Sequence, residues 1–390
     1  MKKFLSLVLA LVMTMSLVTV SAGAVDFTDD SDIDYKEAVD VISALGIVDG
    51  YSDDSFRPDG SLTRGAAAKI ICNLILGPTT ASALSATTAP FKDVPVTNTF
   101  AGYITYCAQQ GIIGGYGDGT FRPTGTLTGN AFMKMLLGAL GYDSSIEGYS
   151  GANWQVNVIK QAVGIGLDDG NDEFVGSEPV TREEAALYSF NMIQADLVRY
   201  DAKTTVDVNG ATVTIAGDKA EAIPQNGSGY KDTMGDNDVV QFAEKSFPKL
   251  SKTGNKTDDF GRPANEWKYR SEIIGTYTNY SDMIGEWSAK ATKGELYSLI
   301  GSGIIDDLAG EPVSGEYGLS FWVDGEQVNV GGRDGNNNPD AASETAKDYF
   351  FDRNSSSASG IQNAVNRGTN VGMSGNGVLT QVFMDDDNNV

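Results

Sequence analysis

The chain has 390 residues, no histidine, two cysteines and a formal net charge of −24. The missing histidine excludes Ser-His-Asp and Cys-His catalysis, histidine metal sites and histidine pH switches, and two cysteines alone make no zinc site. So acidic a body repels nucleic acid and anionic lipid, while its ordinary apolar share is enough to bury a core in two or three domains.

Residues 1–24 read as a secretory leader. Lys2 and Lys3 form the positive end, Phe4 through Val20 the apolar run, and Ala22-Gly23-Ala24 the small-residue cleavage site. Its removal takes the net charge two units further from zero. No later stretch approaches the about 18 apolar residues that a membrane span needs.

Next comes a stretch that returns twice. Gly46 through Arg64 reads GIVDGYSDDSFRPDGSLTR, Gly111 through Thr128 reads GIIGGYGDGTFRPTGTLT, and a worn copy runs from Gly164 to Arg182. The separation from Gly46 to Thr63 repeats from Gly111 to Thr128 and from Gly164 to Thr181, with Phe56, Phe121 and Phe174 at one fixed offset. An internal repeat of this length points to stacked units that share a core. Each copy has an apolar stripe at helical spacing before the Gly, as in Tyr35, Ala38, Val39, Ile42 and Leu45. The Gly is placed to end that helix in the left-handed conformation. A Gly/Asp/Ser loop follows, then Thr63, Thr128 or Thr181 as N-cap of a second helix. The expected unit is helix, long loop, helix, with three units packing together. Residues 77–90, small side chains and Pro, link copies one and two and leave copy one some slack.

These residues resemble S-layer homology (SLH) domains, the wall-anchoring triplets of bacterial surface proteins. The family's opening Phe-x-Asp-Val appears as Phe27-Thr28-Asp29 and Phe91-Lys92-Asp93-Val94, and its Gly-rich loop is nearly intact over 111–123. Its Thr-Arg-Ala-Glu box survives unevenly: Thr63-Arg64-Gly65-Ala66, Thr128-Gly129-Asn130-Ala131 and Thr181-Arg182-Glu183-Glu184. The family's tryptophan at the start of the first helix is absent from copies one and two, and Trp154 stands two positions late in copy three. The expected domains are the leader 1–24, repeats at 26–77, 91–143 and 148–200 with a linker at 78–90, and a region over 201–390. The expected fold class is multi-domain: an all-α triplet in a pseudo-threefold bundle, followed by a β-rich region.

Arg64 and Arg182 stand at the first position of a second helix. A helix N-terminus carries partial positive charge and N–H groups, and a guanidinium beside it grips an acidic substituent bidentately. Against that stand a capping box at Thr181 and Glu184 and a pairing of Arg with a loop Asp. The resemblance supplies the ligand: a secondary wall polysaccharide, often with a ketal-pyruvate group, taken by Arg64, Arg182, Gly50, Gly115, Asp29 and Asp93. Arg57 and Arg122 precede Pro in the loops and read as loop-to-helix pairs or auxiliary contacts.

Cys72 and Cys107 sit on helical stripes of different copies, either as an exported bridge or as two small buried hydrophobes. Asp168, Asp169, Asp172 and Glu173 miss the calcium-loop spacing and read as a solvated loop. No cofactor or metal is expected.

Past residue 200 the pattern changes. Val206, Val208, Val213 and Ile215 around Asn209-Gly210 make a hairpin, and residues 216–238 read as loop. Trp267, Tyr269, Ile273, Ile274, Thr276 and Tyr277 read as strand and Glu295–Ile300 as a short helix. A second hairpin turns at Asp324-Gly325, and Val378 through Met384 is a strand that implies either a longer reading frame or a sheet edge.

The functional expectation is non-covalent attachment of a secreted surface protein to a peptidoglycan-linked glycan, without enzymatic activity, nucleic acid or a membrane span, and with possible self-association. The alternatives are a wall-anchored carbohydrate-active enzyme with carboxylates in 201–390, or a purely structural lattice subunit.

Overall fold

The computed structural model describes residues 25–200 without interruption, then 202–208, 211–216, 219–235, 238–258, 262–287, 321–323, 326–328 and 380–384. The leader, the helix expected at Glu295–Ile300 and the acidic turn after Met384 lie outside the described residues. The described part is helical first and β-rich later. It divides into two compact units, one running through Lys252 and taking in Trp267–Gly275, the other comprising 253–266 and the chain from Thr276.

In the first unit each copy contributes two main helices. Copy one has α1 (Lys36–Ala44) and α2 (Arg64–Leu76), copy two α4 (Ala101–Gln109) and α5 (Gly129–Leu140), copy three α6 (Trp154–Gly164) and α7 (Arg182–Gln194). Between the first two copies a short α3 (Pro78–Ala81) opens the linker, with its Pro at the first helical position, where no N–H is missed. Thr63 and Thr181 cap α2 and α7 through their side chains, accepting from the N–H of Ala66 and of Glu184 at 3.2 Å each. Thr181 and Glu184 complete the capping box.

The first helices end as expected in copies one and two. Gly46 and Gly111 take φ of 70° and 71°, and the next residue's N–H reaches back to Ile42 and Cys107 at 3.0 Å. Copy three differs. Gly164 is still helical, and the left-handed residue is Gly166, with the Leu167 N–H on Ala162 at 3.0 Å. The loop of copy three is therefore two residues shorter than Gly164 suggests.

A first helix does not fold back onto the second helix of its own copy. Between copies the main helix pairings are α1 with α7, α4 with α2, and α6 with α5. Each first helix lies on the second helix of the preceding copy, with copy three preceding copy one. The apolar stripe of one copy is thus buried by its neighbour, which a lone repeat cannot manage. Three short segments close the circle. The N–H of Leu62 bonds the Val180 carbonyl at 2.8 Å, Val180 bonds Leu127 at 2.9 Å, and Leu127 bonds Leu62 at 3.0 Å. Val39, Ile42, Phe56, Ile71, Phe121, Phe132, Leu136 and Tyr188 are fully buried around it.

The unit continues past residue 200. The expected hairpin is β2 (Ala202–Val208) with β3 (Ala211–Ala216), Val206 opposite Val213. The first strand β1 (Val198–Arg199) pairs with β4 (Glu221–Ala222), and α8 (Phe242–Ser246) follows. Trp267 is fully buried; it stacks edge-on to Phe190 of α7 and donates its indole N–H to Glu37 of α1 at 2.6 Å. Burial raises the Glu37 carboxyl, and the indole bond works against that rise.

The region read as strand around Trp267 is two strands, β6 (Pro263–Tyr269) and β7 (Glu272–Thr278), turning at Arg270 and Ser271, both at positive φ. With β5 (Leu250–Thr257) they form a sheet in the order β5, β6, β7. In the second unit β8 (Met283–Trp287) pairs antiparallel with β11 (Thr380–Phe383), and β9 (Phe321–Val323) with β10 (Glu326–Val328) in the expected hairpin. The strand expected at 378–384 thus finds its partner upstream, in a sheet of two.

Candidate functional site

The loops of copies one and two are built alike. Tyr51 N–H bonds the Ser55 carbonyl at 2.8 Å, and Tyr116 bonds Thr120 at 2.7 Å. Each loop then bends through an arginine at positive φ, 58° at Arg57 and 60° at Arg122. A carboxylate holds each bend. Asp29 accepts from the N–H groups of Phe56 and Arg57 at 2.7 Å each, and Asp93 from those of Phe121 and Arg122 at 2.7 Å each. Desolvation opposes ionisation of Asp29 and Asp93, but these backbone donors outweigh it and hold both carboxyls below their ordinary value. Arg57 pairs with Asp53 at 2.8 Å and Arg122 with Asp118 at 3.0 Å. Both loop arginines are therefore engaged within their own loops, not with a helix as the loop-to-helix reading expects.

Gly50 and Gly115 lie under the Phe at the start of each copy. A Cβ on Gly115 would stand 2.5 Å from Phe91 and 2.8 Å from the Thr120 carbonyl; on Gly50 the closest atoms would be Phe27 at 2.8 Å and the Ser55 carbonyl at 3.2 Å. Only a bare Cα fits at either place. Asp29, Asp93, Gly50 and Gly115 thus shape the loops from within.

Arg64 and Arg182 reach out of their own copies. Arg64, the first residue of α2, donates Nε to the Phe121 carbonyl at 2.7 Å and Nη2 to the Gly114 carbonyl at 3.2 Å, both in copy two. Its guanidinium lies 4.4 Å from the Phe121 ring and 5.0 Å from the Tyr116 ring. Arg182, the first residue of α7, does the same to copy one: Nε to Phe56 at 2.8 Å, Nη2 to Asp49 at 2.9 Å, over the rings of Tyr51 and Phe56. Burial draws both guanidinium groups below their ordinary value, and both stay charged.

The N–H groups at these helix tips are not open, which corrects the expectation that they greet an anion. Arg64 and Gly65 donate theirs to the carbonyls of Gly125 and Pro123 at 2.9 Å each, Gly129 and Asn130 to Glu178 and Gly176, and Arg182 and Glu183 to Pro58. The next copy's loop satisfies the helix end, as buried backbone donors require. Only the guanidinium side of the anion geometry remains.

A groove of about 430 Å³ opens at Arg64, where three copies meet. Arg64 comes from copy one, Gly114, Tyr116 and Lys134 from copy two, and Trp154 from copy three. Lys134 donates to the Tyr149 carbonyl at 2.7 Å and lies 5.6 Å from the Trp154 ring. Among the described residues neither Arg64 nor Lys134 has a carboxylate in salt-bridge contact. Burial lowers the Lys134 pKa. Lys134 and Trp154 escaped the binding set read from the sequence, although Lys69 and Lys134 share one offset from Thr63 and Thr128.

The Arg182 side differs in charge. Asp49 stands where copy two has Gly114, and its carboxylate pairs with Lys69 at 2.8 Å. The third such position has no arginine. Gly129 occupies it, and a Cβ there would meet the Phe174 ring at 2.8 Å.

The S-layer homology domain model matches residues 26–68 and 90–132, the first two copies. The chain is 27% identical to a surface layer protein of Brevibacillus choshinensis over 44% of its own length and 15% of that protein's. It is 38% identical to a cellulosome-anchoring protein of Acetivibrio thermocellus over 20% of this chain and 17% of the relative. An endoglucanase of Bacillus sp. is 35% identical over 25% of this chain and 11% of the enzyme, sharing only the repeat region. The chain thus spans less than a fifth of each of these relatives. No helix among the described residues is long and apolar enough to cross a membrane.

Proposed function

We propose that this chain, a secreted S-layer homology domain protein of the bacterial cell surface, is held on the wall by an acidic glycan seated in the Arg64 groove. The supporting observation is a pair of half-buried cations, Arg64 and Lys134, lining one groove with no carboxylate among the described residues in salt-bridge contact with either. A half-buried cation that lacks a counter-ion favours an anion brought in from outside. The flanking rings of Tyr116 and Trp154 suit the apolar face of a sugar. A secondary wall polysaccharide with acidic substituents has both features, and the resemblance to wall-anchoring repeats points the same way.

In this reading Arg64 and Lys134 contact the ligand, while Asp93 and Gly115 fix the loop that forms one wall. Arg182, Asp29 and Gly50 build a second, weaker seat over copy one. The pseudo-threefold packing of the copies, supported by the ring through Leu62, Leu127 and Val180, sets the two seats in equivalent surroundings. Attachment needs no chemistry from the chain, and its role is non-enzymatic. The region beyond residue 200 is what the repeats display.

The test is retention of the full chain on purified wall sacculi, before and after acid extraction of the non-peptidoglycan polymer. Retention is expected on intact sacculi and not on extracted ones. Equal retention on both contradicts a polymer ligand, and retention unchanged by Arg64→Ala together with Lys134→Ala contradicts the groove.

A further inference from the structure

Cys72 of α2 and Cys107 of α4 face each other across two helices from different copies. Both are fully buried, and their sulfurs are 3.5 Å apart. The contact is reciprocal. Cys72 Sγ lies 3.5 Å from the carbonyl of Tyr103, one turn before Cys107, and Cys107 Sγ lies 3.6 Å from that of Ala68, one turn before Cys72. A bonded pair sits at about 2.05 Å, so closure asks for roughly 1.5 Å of sulfur movement, within reach of small side-chain rotations.

We infer that Cys72 and Cys107 are a modification site, joined in the exported protein as a disulfide that staples copy one to copy two. Proteins outside the cytoplasm meet oxidising partners, and this chain is secreted. The co-reactant is an exported protein carrying a reactive disulfide. One Cys thiolate attacks it, forms a mixed disulfide and releases the first oxidant thiolate. The second Cys thiolate then attacks the first Cys sulfur and releases the other. The two thiols lose two protons and two electrons, and the oxidant leaves as a dithiol.

Timing follows from burial. In the closed fold the facing Cys107 thiol and then desolvation push the Cys72 thiol far above its ordinary value, so the packed pair is unreactive. Oxidation belongs to the moment of export, before α4 docks on α2. The staple spans the 77–90 linker and removes the slack it allows. It also fixes α2, which carries Arg64, to the copy whose loop carries Gly114 and Tyr116.

The experiment takes the full chain from the surface of the producing cells, quenches it in acid, and alkylates it with iodoacetamide under denaturing conditions before intact-mass measurement. No alkylated cysteine without prior reduction, and two after it, is expected, with a non-reduced peptide map linking the Cys72 and Cys107 peptides. Two alkylated cysteines without reduction overturn the inference. Thermal melting supplies a second reading. Reductant is expected to lower the melting temperature of the oxidised wild type by roughly 5–10 °C and to leave the Cys72→Ala, Cys107→Ala double variant unmoved. A wild type equally stable with and without reductant contradicts the staple.

Discussion

The surroundings of Arg64 and Arg182 share one plan and differ in charge. In each, an arginine at the tip of a second helix crosses to the next copy's loop, donates to the carbonyl of a buried Phe and lies over a Tyr. At Arg64 the loop offers Gly114 and the nearby Lys134 donates to the Tyr149 carbonyl. At Arg182 the loop offers Asp49, whose carboxylate holds Lys69 at 2.8 Å. The lysine on the Arg182 side is thus paired with a carboxylate, while its counterpart on the Arg64 side meets a carbonyl. A similar backbone does not make two identical sites, because a single nearby carboxylate offsets one nearby cation.

The largest expected effect is steric. Gly115→Val puts side-chain atoms where even a Cβ would stand 2.5 Å from Phe91, and should cost about 3 kcal/mol in thermal unfolding. Gly50→Val, with its closest approach 2.8 Å to Phe27, should cost less. An equal or reversed order would show that the two loops yield differently from their geometry.

Arg64→Ala comes next, with an expected loss of about tenfold or more in affinity for wall polysaccharide by equilibrium binding, and Arg182→Ala a loss of a few-fold. Asp49→Gly sharpens the contrast. It removes the carboxylate from Lys69, and in an Arg64→Ala background it is expected to recover part of the lost binding. If it leaves binding flat, charge is not what separates the two surroundings.

Two pH effects are smaller. Lys134 has a folded pKa below its ordinary 10.5, so its charge is lost as pH rises through that lowered value. Polysaccharide affinity should fall in this window below 10.5, and Lys134→Arg should keep it. The loop carboxylates act at the other end. Asp53 and Asp118 are drawn from 3.8 to about 2 by their Ser55 and Thr120 hydrogen bonds and by Arg57 and Arg122. A depressed carboxyl stabilises the loop above its unfolded value and loses that contribution as pH falls toward its folded one. Amide-exchange protection at Tyr51 and Tyr116 should therefore decline between pH 3.8 and about 2. Protection that holds through this range would contradict the loop role of Asp53 and Asp118.

What the sequence disclosed was local. Gly46 and Gly111 end their helices, Thr63 and Thr181 cap the next ones, and Val206 pairs with Val213 in the expected hairpin, because each depends on a few adjacent residues. What it withheld was long-range. Nothing near Arg64 says that its guanidinium serves copy two, or that the α2 tip is satisfied by Gly125 and Pro123. The fixed offset also misled at Gly164, where spacing to Thr181 is kept while the left-handed turn has moved to Gly166. Alignment of the copies against one another would have exposed the shared lysines Lys69 and Lys134, and Asp49 opposite Gly114 as a substitution that changes the charge beside them. Trp154 could not be found that way, since it reaches the groove from a third copy.

The central claim is that an acidic wall glycan sits at Arg64. The most direct measurement is nitrogen-15 NMR of the full chain titrated with polysaccharide released from the wall. The account predicts that the Gly115 and Tyr116 amides and the Trp154 indole shift first and saturate together, with Gly50 and Tyr51 following at higher concentration. Shifts confined to Gly50 and Tyr51, or none at either loop, would contradict it.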